Sequence, residues 1–256
     1  MKGILTRLKA LFAFHRATTY CPACEMQDIP FAPLPEFYRQ NAQANGFIYF
    51  GQGEMTAHQT YTCPNCGASD RERFYALWID QQIQKKKFSK GMRAVHFAPE
   101  AALSRKLKNI SLFDYKTADL LMDNVDYKVD MMDMPFEDES LDFFICSHVL
   151  EHVENDDMAI KELFRITKQG GRGILMAPII VGLEETIEDS SVKDEAGRWR
   201  LFGQNDHVRL YAHDDYVNKI RSNGFRVEEL GKKYFGEKVY RTLGLKPTSI
   251  LYVVSK

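Results

Sequence analysis

The chain has 256 residues, 45% hydrophobic and 27% charged, a composition of folded globular proteins that excludes disorder along its whole length. Its 34 Lys and Arg residues against 35 Asp and Glu give a net charge of −1, so no global field draws it to nucleic acid or to an anionic bilayer. No apolar run approaches the ~20 residues needed to cross a membrane as a helix.

Residues 1–16 carry Ile4, Leu5, Leu8, Leu11 and Phe12 at helical spacing, interrupted by Lys2, Arg7, Lys9 and Arg16. The pattern predicts a basic amphipathic helix that docks on the rest of the protein or makes weak peripheral contact with a membrane. It has neither the unbroken apolar stretch nor the small-residue cleavage site of a secretion signal.

Cys21-Pro-Ala-Cys24 and Cys63-Pro-Asn-Cys66 follow. Each pair lets two thiolates face one ion from a tight turn, and two pairs complete a tetrahedron. The expectation is a structural Zn2+ held by Cys21, Cys24, Cys63 and Cys66 in a small zinc-ribbon-like module. Four cysteines leave no open position for catalysis, and such a site belongs in a reducing, cytoplasmic setting. A redox-active pair is the alternative, but the βαβ context of that chemistry is missing. Arg71 and Arg73 precede a helical pattern over residues 74–83, either as salt-bridge donors or as anion contacts. A lysine cluster at Lys85, Lys86, Lys87 and Lys90 marks a composition break, which divides the chain into residues 1–89 and residues 90–256.

Strand patterns then occur at residues 93–98, 111–120, 127–132, 141–147, 173–180, 225–230 and 250–255. Helical patterns occupy residues 100–108, 156–168 and 214–223, the second terminated by Gly170-Gly171. The alternation predicts an α/β layer fold with a mainly parallel sheet. In such sheets ligands bind beyond the carboxyl ends of the strands. Asp119, Asp130 and Ser147-His148 all fall at or near strand ends, which points to one pocket. Cys146 lies in an apolar run and reads as a core thiol.

Residues 129–153, from Val-Asp-Met-Met-Asp-Met-Pro-Phe to Ser-His-Val-Leu-Glu-His-Val, resemble the class I S-adenosylmethionine-dependent methyltransferases of type 11. The continuation 159–175, with Glu162, Arg165 and Gly170-Gly171, keeps the order and spacing of that family; Leu141 replaces the usual Phe and Gln169 the usual Pro. The resemblance implies a Rossmann-like, seven-stranded, mostly parallel sheet with helices on both faces, and S-adenosyl-L-methionine as cofactor. It implies that Asp119, with Leu120 beside it, meets the ribose hydroxyls. Asp130 and Met131 would meet the adenine, and Ser147 and His148 would border the methyl-donor end. The first-strand loop departs from the family: it reads His96-Phe-Ala98-Pro99-Glu100, without glycine, and His96 stands where an acid is usual. Small Ala98 and rigid Pro99 still let the backbone come close, and Glu100 offers a carboxylate to the cofactor's ammonium.

A hydroxyl acceptor would need a base, and His148, Glu151, His152 and His207 are the candidates. Residues 181–199 read as a substrate lid or wall, followed by Asp206, His207 and Arg209. Arg209 either forks onto an acidic substrate group or ties the lid to the core. The neutral charge and the lack of an Asn/Asp-Pro-Pro-Tyr-like motif favour a small-molecule or sugar-like acceptor over nucleic acid; the oligomeric state is not legible. Three competing readings are a catalytically inactive, zinc-bearing binding module, a metalloprotease on His148-Val-Leu-Glu-His152, and a nicotinamide enzyme. The last lacks its G-x-G-x-x-G loop.

Overall fold

The computed structural model describes residues 18–256, so the amphipathic segment 1–16 lies outside the described residues. Tyr20–Cys21 (β1) and Met26–Gln27 (β2) form a short antiparallel pair. Two helices follow, Glu36–Asn45 (α1) and Asp70–Gln84 (α2). The second opens with a capping box: Ser69 Oγ accepts from Glu72 N at 3.3 Å, and the Glu72 carboxylate accepts from Ser69 N at 2.8 Å.

Beyond α2 the chain alternates as expected. It runs through Met92–Phe97 (β3), Ala101–Lys108 (α3), Phe113–Asp119 (β4), Tyr127–Lys128 (β5), Leu141–Ser147 (β6), Asp156–Ile166 (α4) and Thr167–Met176 (β7). After the short Ile179–Ile180 (β8) and Ile187–Glu188 (β9) come Glu195–Phe202 (α5), Arg209–Ala212 (β10), His213–Ser222 (α6) and Arg226–Leu230 (β11). Lys232–Phe235 (α7), Glu237–Leu243 (α8) and Leu251–Ser255 (β12) complete it.

The main sheet has seven strands in the order β11-β12-β7-β6-β3-β4-β5. All neighbouring pairs from β7 to β5 are parallel, and β12 runs antiparallel to both its neighbours. The fold is therefore α/β, Rossmann-like and mostly parallel. Its chain path moves outward from β3 to β5 and then returns to β6, so the switch in strand order lies between β3 and β6. β6 shows why a central strand reads as an apolar run: both its faces are covered. Phe143 stacks on Trp78 of α2 at 6.1 Å, while Phe144 points the other way, against Phe225, which in turn meets Phe164 of α4. Helices thus cover both faces. The core they enclose also takes in Tyr20, Met55 and residues 74–79, so the segment before residue 90 packs into the same apolar interior as the sheet.

Several predicted boundaries change; the strand expected over residues 173–180 begins at Thr167 and ends at Met176, and Ile179–Ile180 joins a different sheet. The helix expected to run to Lys168 ends at Ile166, because Thr167 already pairs with Leu141 in the sheet; Gly170-Gly171 fall inside β7 rather than after a helix. The strand expected over residues 127–132 stops at Lys128, because the chain turns tightly at Asp130, whose Oδ1 accepts from Met132 N at 2.9 Å. A further difference concerns residues 148–154, which the family resemblance reads as helical. They form a turn, with His152 N donating to Val149 O at 3.0 Å.

A three-stranded side sheet, β8-β10-β9, carries the expected lid region. It is joined to the N-terminal segment by Glu54 N donating to Ile179 O and by Phe37 of α1 edge-on to Trp199 of α5 at 6.4 Å. No helix among the described residues is long and apolar enough to cross a membrane.

Candidate functional site

The four cysteines converge. All four Sγ atoms lie within 4.8 Å of one another, with Cys21 to Cys66 at 3.7 Å and Cys24 to Cys63 at 3.8 Å. Four sulfurs about 2.3 Å from one tetrahedral zinc stand about 3.8 Å apart, whereas a disulfide needs about 2.05 Å. Each knuckle closes on itself: Glu25 N donates to Cys21 O and Gly67 N to Cys63 O, and both residues take positive φ. Helix α3 grips the pair from outside through Arg105, which donates to Cys66 O, and Lys106, which donates to Pro22 O.

A cleft of about 570 Å³ opens over the carboxyl ends of β3, β4 and β6. The predicted Ala98, Asp119, Leu120, Asp130, Met131 and His148 all line it. Asp119 Oδ1 accepts from the backbone of Leu121 and Met122, at 2.7 and 2.6 Å, which folds the loop after β4 into an acid-centred turn. Exposed Leu120, Leu121 and Met122 make the outer wall apolar. Ala98 and His148, the residues that leave β3 and β6, both have left-handed backbones, φ 46° and 57°. Ala98 thus adopts the conformation that glycine would take most easily, and its missing bulk keeps the cleft open.

The remaining predicted cofactor contacts do not line the cleft. His96 is fully buried, with Nδ1 2.9 Å from the Tyr115 hydroxyl and Nε2 2.7 Å from Glu100 Oε2. Burial would raise the Glu100 carboxyl, but the His96 hydrogen bond and charge, with Arg71, hold it below its ordinary value. Pro99 stands between the cleft loop and α3, and the Ser147 hydroxyl is turned to the Tyr75 hydroxyl at 3.0 Å. Sequence reasoning missed Phe97, Val129 and Met132, apolar neighbours of the predicted residues, and the Leu121-Met122 pair just past the strand-end acid.

A second cavity, about 430 Å³, adjoins the first and shares His148, His152 and Asp206 with it. Tyr38, Phe50 and Tyr61 of the N-terminal segment line it from one side, Glu151 and His207 from the other, and Arg71 is the only Arg or Lys among the described residues that line it. Arg71 Nε has no hydrogen-bond partner and lies 3.8 Å from Glu100 Oε1. Its neighbour Arg73 does something different: fully buried, it donates to the carbonyls of Leu243, Tyr61, Ala68 and Thr60 under the Phe31 ring. Arg209 is likewise structural, joining Glu188 to the carbonyls of Leu150, Val153 and Glu154.

The four predicted base candidates, His148, Glu151, His152 and His207, come together here. Glu151 is fully buried; its Oε1 lies 3.2 Å from His148 Nδ1 and 4.0 Å from His207 Nε2. Burial pulls His148 and His207 below the ordinary histidine value, so both keep a free lone pair at neutral pH. Burial would raise Glu151, but the three imidazoles around it hold it well below the usual carboxylate range.

Residues 94–175 match the family model of a methyltransferase domain. An uncharacterized protein of Methanocaldococcus jannaschii is 46% identical over 43 residues, 17% of this chain and 21% of its own. Demethylmenaquinone methyltransferase of Streptomyces griseus is 39% identical over 46 residues, 18% of this chain and 20% of its own. The chain thus spans about a fifth of the length of these curated relatives. Among solved structures, the YcgJ protein of Bacillus subtilis superposes with a TM-score of 0.42 and 17% identity, over 59% of this chain and 68% of that one. The family match runs from β3 to β7 and so takes in β3, β4 and β6, whose carboxyl ends build the cleft.

Proposed function

We propose that the protein is an S-adenosylmethionine-dependent methyltransferase that holds its cofactor in the cleft over β3, β4 and β6 and methylates a small-molecule or sugar-like acceptor seated in the adjoining chamber. The observation that carries this reading is the shared wall of the two cavities, His148, His152 and Asp206, which gives a group in one a direct path to a group in the other. Asp119 Oδ2 faces the ribose hydroxyls, Asp130 the adenine amine, and Met131 with the Leu120–Met122 wall the flat ring. The cofactor supplies an already activated methyl group, so the residues here chiefly align the reactants and keep water out. Neutral His148 stands where a proton leaving an acceptor hydroxyl is taken up. Arg71, the one Arg or Lys among the described residues of the chamber, favours an acceptor with an acidic group. The four cysteines fit a structural Zn2+, which would fix the knuckles against α3.

Titration with S-adenosylhomocysteine tests the reading. The expected dissociation constant is below ~100 µM, about 5.5 kcal/mol of binding, and Asp119→Ala weakens it about tenfold or more. An absence of binding heat in the folded wild-type protein leaves instead the inactive binding module. With binding established, transfer of labelled methyl to an acidic small-molecule fraction rather than to nucleic acid or protein identifies the acceptor class.

A further inference from the structure

Glu151, His152 and His207 present a problem of unmatched acceptors. The His207 Nδ1 lies 3.2 Å from the Phe202 carbonyl, which can only accept, so Nδ1 carries the ring hydrogen and Nε2 is a bare lone pair. That Nε2 is buried without a partner and points at Glu151 Oε1, 4.0 Å away. His152 stands between two carboxylates: Asp206 lies 3.3 Å from its Nδ1, and its Nε2 faces Glu151 Oε1 at 3.9 Å. Neither oxygen of Glu151 has a partner in hydrogen-bond geometry, although the residue is 0% exposed and His207 only 3%. The three possible ligand atoms lie within 4.8 Å of one another, and the one donor beside them, His148 Nδ1 at 3.2 Å from Glu151 Oε1, reaches neither imidazole lone pair, so a positive group in their midst would relieve their mutual repulsion.

We infer that Glu151, His152 and His207 bind a divalent transition-metal ion, and that its open positions receive an oxygen of the acceptor. Two imidazoles and one carboxylate are the donor set of open, reactive zinc and related sites. Ligands about 2.1 Å from a four-coordinate ion lie about 3.4 Å apart, so small side-chain rotations of roughly half an ångström close the observed separations. The outer groups are of the kind a metal site uses: the Phe202 carbonyl holds the His207 ring through Nδ1, the Asp206 carboxylate lies 3.3 Å from His152 Nδ1, and His148 Nδ1 lies 3.2 Å from Glu151 Oε1. The three ligands come from the turn after β6 and from the segment before β10, whose backbones are tied by Val208 N donating to Glu151 O at 2.8 Å. The site lies in the chamber wall where it meets the cleft. It is separate from the four-cysteine cluster, whose closed sulfur tetrahedron has no room for a substrate.

The inference rests on the methyltransferase reading for its chemical use. A hydroxyl bound to the ion loses its proton more easily. The resulting oxygen anion attacks the methyl carbon of the sulfonium, the oxygen–carbon bond forms as the sulfur–carbon bond breaks, and the electron pair stays on the now neutral sulfur. The hydroxyl proton passes to His148 and then to water, so one proton is released per methyl transferred.

Metal binding itself tests the site, independently of turnover. The purified protein, with its cysteine-bound metal in place, is titrated with Co2+ and followed by visible absorption and calorimetry, with S-adenosylhomocysteine affinity measured in parallel. The expected result is one added Co2+ per chain, with d–d bands but no thiolate charge-transfer band. Glu151→Gln and His207→Gln each weaken it by more than about 100-fold, and Asp206→Asn by about tenfold through the outer shell. Cofactor affinity stays within twofold for Glu151→Gln and His207→Gln, which do not line the cleft. If Glu151→Gln does not fold, His207→Gln decides alone. Absence of a second ion, or Co2+ binding that these substitutions leave unchanged, overturns the inference and leaves a cluster bridged by water or a proton. Loss of cofactor binding with the Co2+ site intact would count against the methyltransferase reading and not against the metal.

Discussion

Glu54 carries the strongest acid–base consequence outside the two cavities. Its carboxylate is buried under β12 and accepts from the Tyr252 hydroxyl at 2.8 Å. Burial pushes it from an ordinary 4.5 up to about 7, and the Tyr252 hydrogen bond only partly offsets that. The native state therefore keeps a proton that the unfolded chain has already lost. The resulting stability is fully present below pH 4.5 and disappears as the pH rises through about 7. A tenfold difference in proton affinity between the folded and unfolded chain is worth about 1.4 kcal/mol, so the loss amounts to a few kcal/mol. Thermal denaturation should show the wild-type midpoint falling between pH 5 and pH 8 and a flatter profile for Glu54→Gln, which is the more stable form at pH 8; equal slopes would contradict this assignment. At the same scale, the sequence singled out His148, Glu151 and His207 by type and neighbourhood. What it did not contain was the orientation of the His207 ring, which depends on the Phe202 carbonyl reaching its Nδ1.

At the level of elements, β6 and β7 show how closely the sheet and its side chains are fitted. Gly173 pairs with Phe144, and a methyl group on Gly173 would lie 2.2 Å from the Phe144 ring, which is itself fully buried and held by Phe225. Gly173→Ala should lower stability by about 2–3 kcal/mol, read as a lower urea midpoint with an unchanged slope. A midpoint within experimental scatter of wild type would mean that the ring has somewhere to go. The apolar run of β6 and the 3.6-residue period of α4 and α6 made these elements legible, because burial on both faces or on one stripe leaves a pattern in the sequence. The short strand β9 left none, and β5 and β8 were legible only as parts of longer apolar runs, not as strands with their own pairing. Their pairing is decided by partners far along the chain, such as Ala212 and Ile180 in β10–β8, and not by local periodicity.

Over the whole molecule, the cysteine cluster, α3 and the cleft form one mechanical chain. Knuckle carbonyls hold Arg105 and Lys106 of α3, and α3 begins at Glu100, two residues beyond Ala98 in the cleft. Removal of metal with a strong chelator should release about one tightly held zinc per chain, lower the melting temperature and weaken S-adenosylhomocysteine binding by several-fold. Cys63→Ser should do the same without chelator. Unchanged melting and cofactor affinity after full zinc loss would show that the knuckles stand apart from the site.

The sequence by itself determined the α/β alternation, the sheet's central strands, the cysteine pairs and the strand-end acids Asp119 and Asp130, because each is written in spacing over a few residues. Only the tertiary structure decided that His96 and Glu100 serve each other rather than the cleft, and that Arg73 and Arg209 hold carbonyls while Arg71 faces a cavity. It also decided that residues 34–61 wall the chamber beside His207. The reason is physical: a side chain's role is set by which buried partners satisfy its charge and hydrogen bonds, and here those partners lie far along the chain, as Leu243 does from Arg73, 170 residues away.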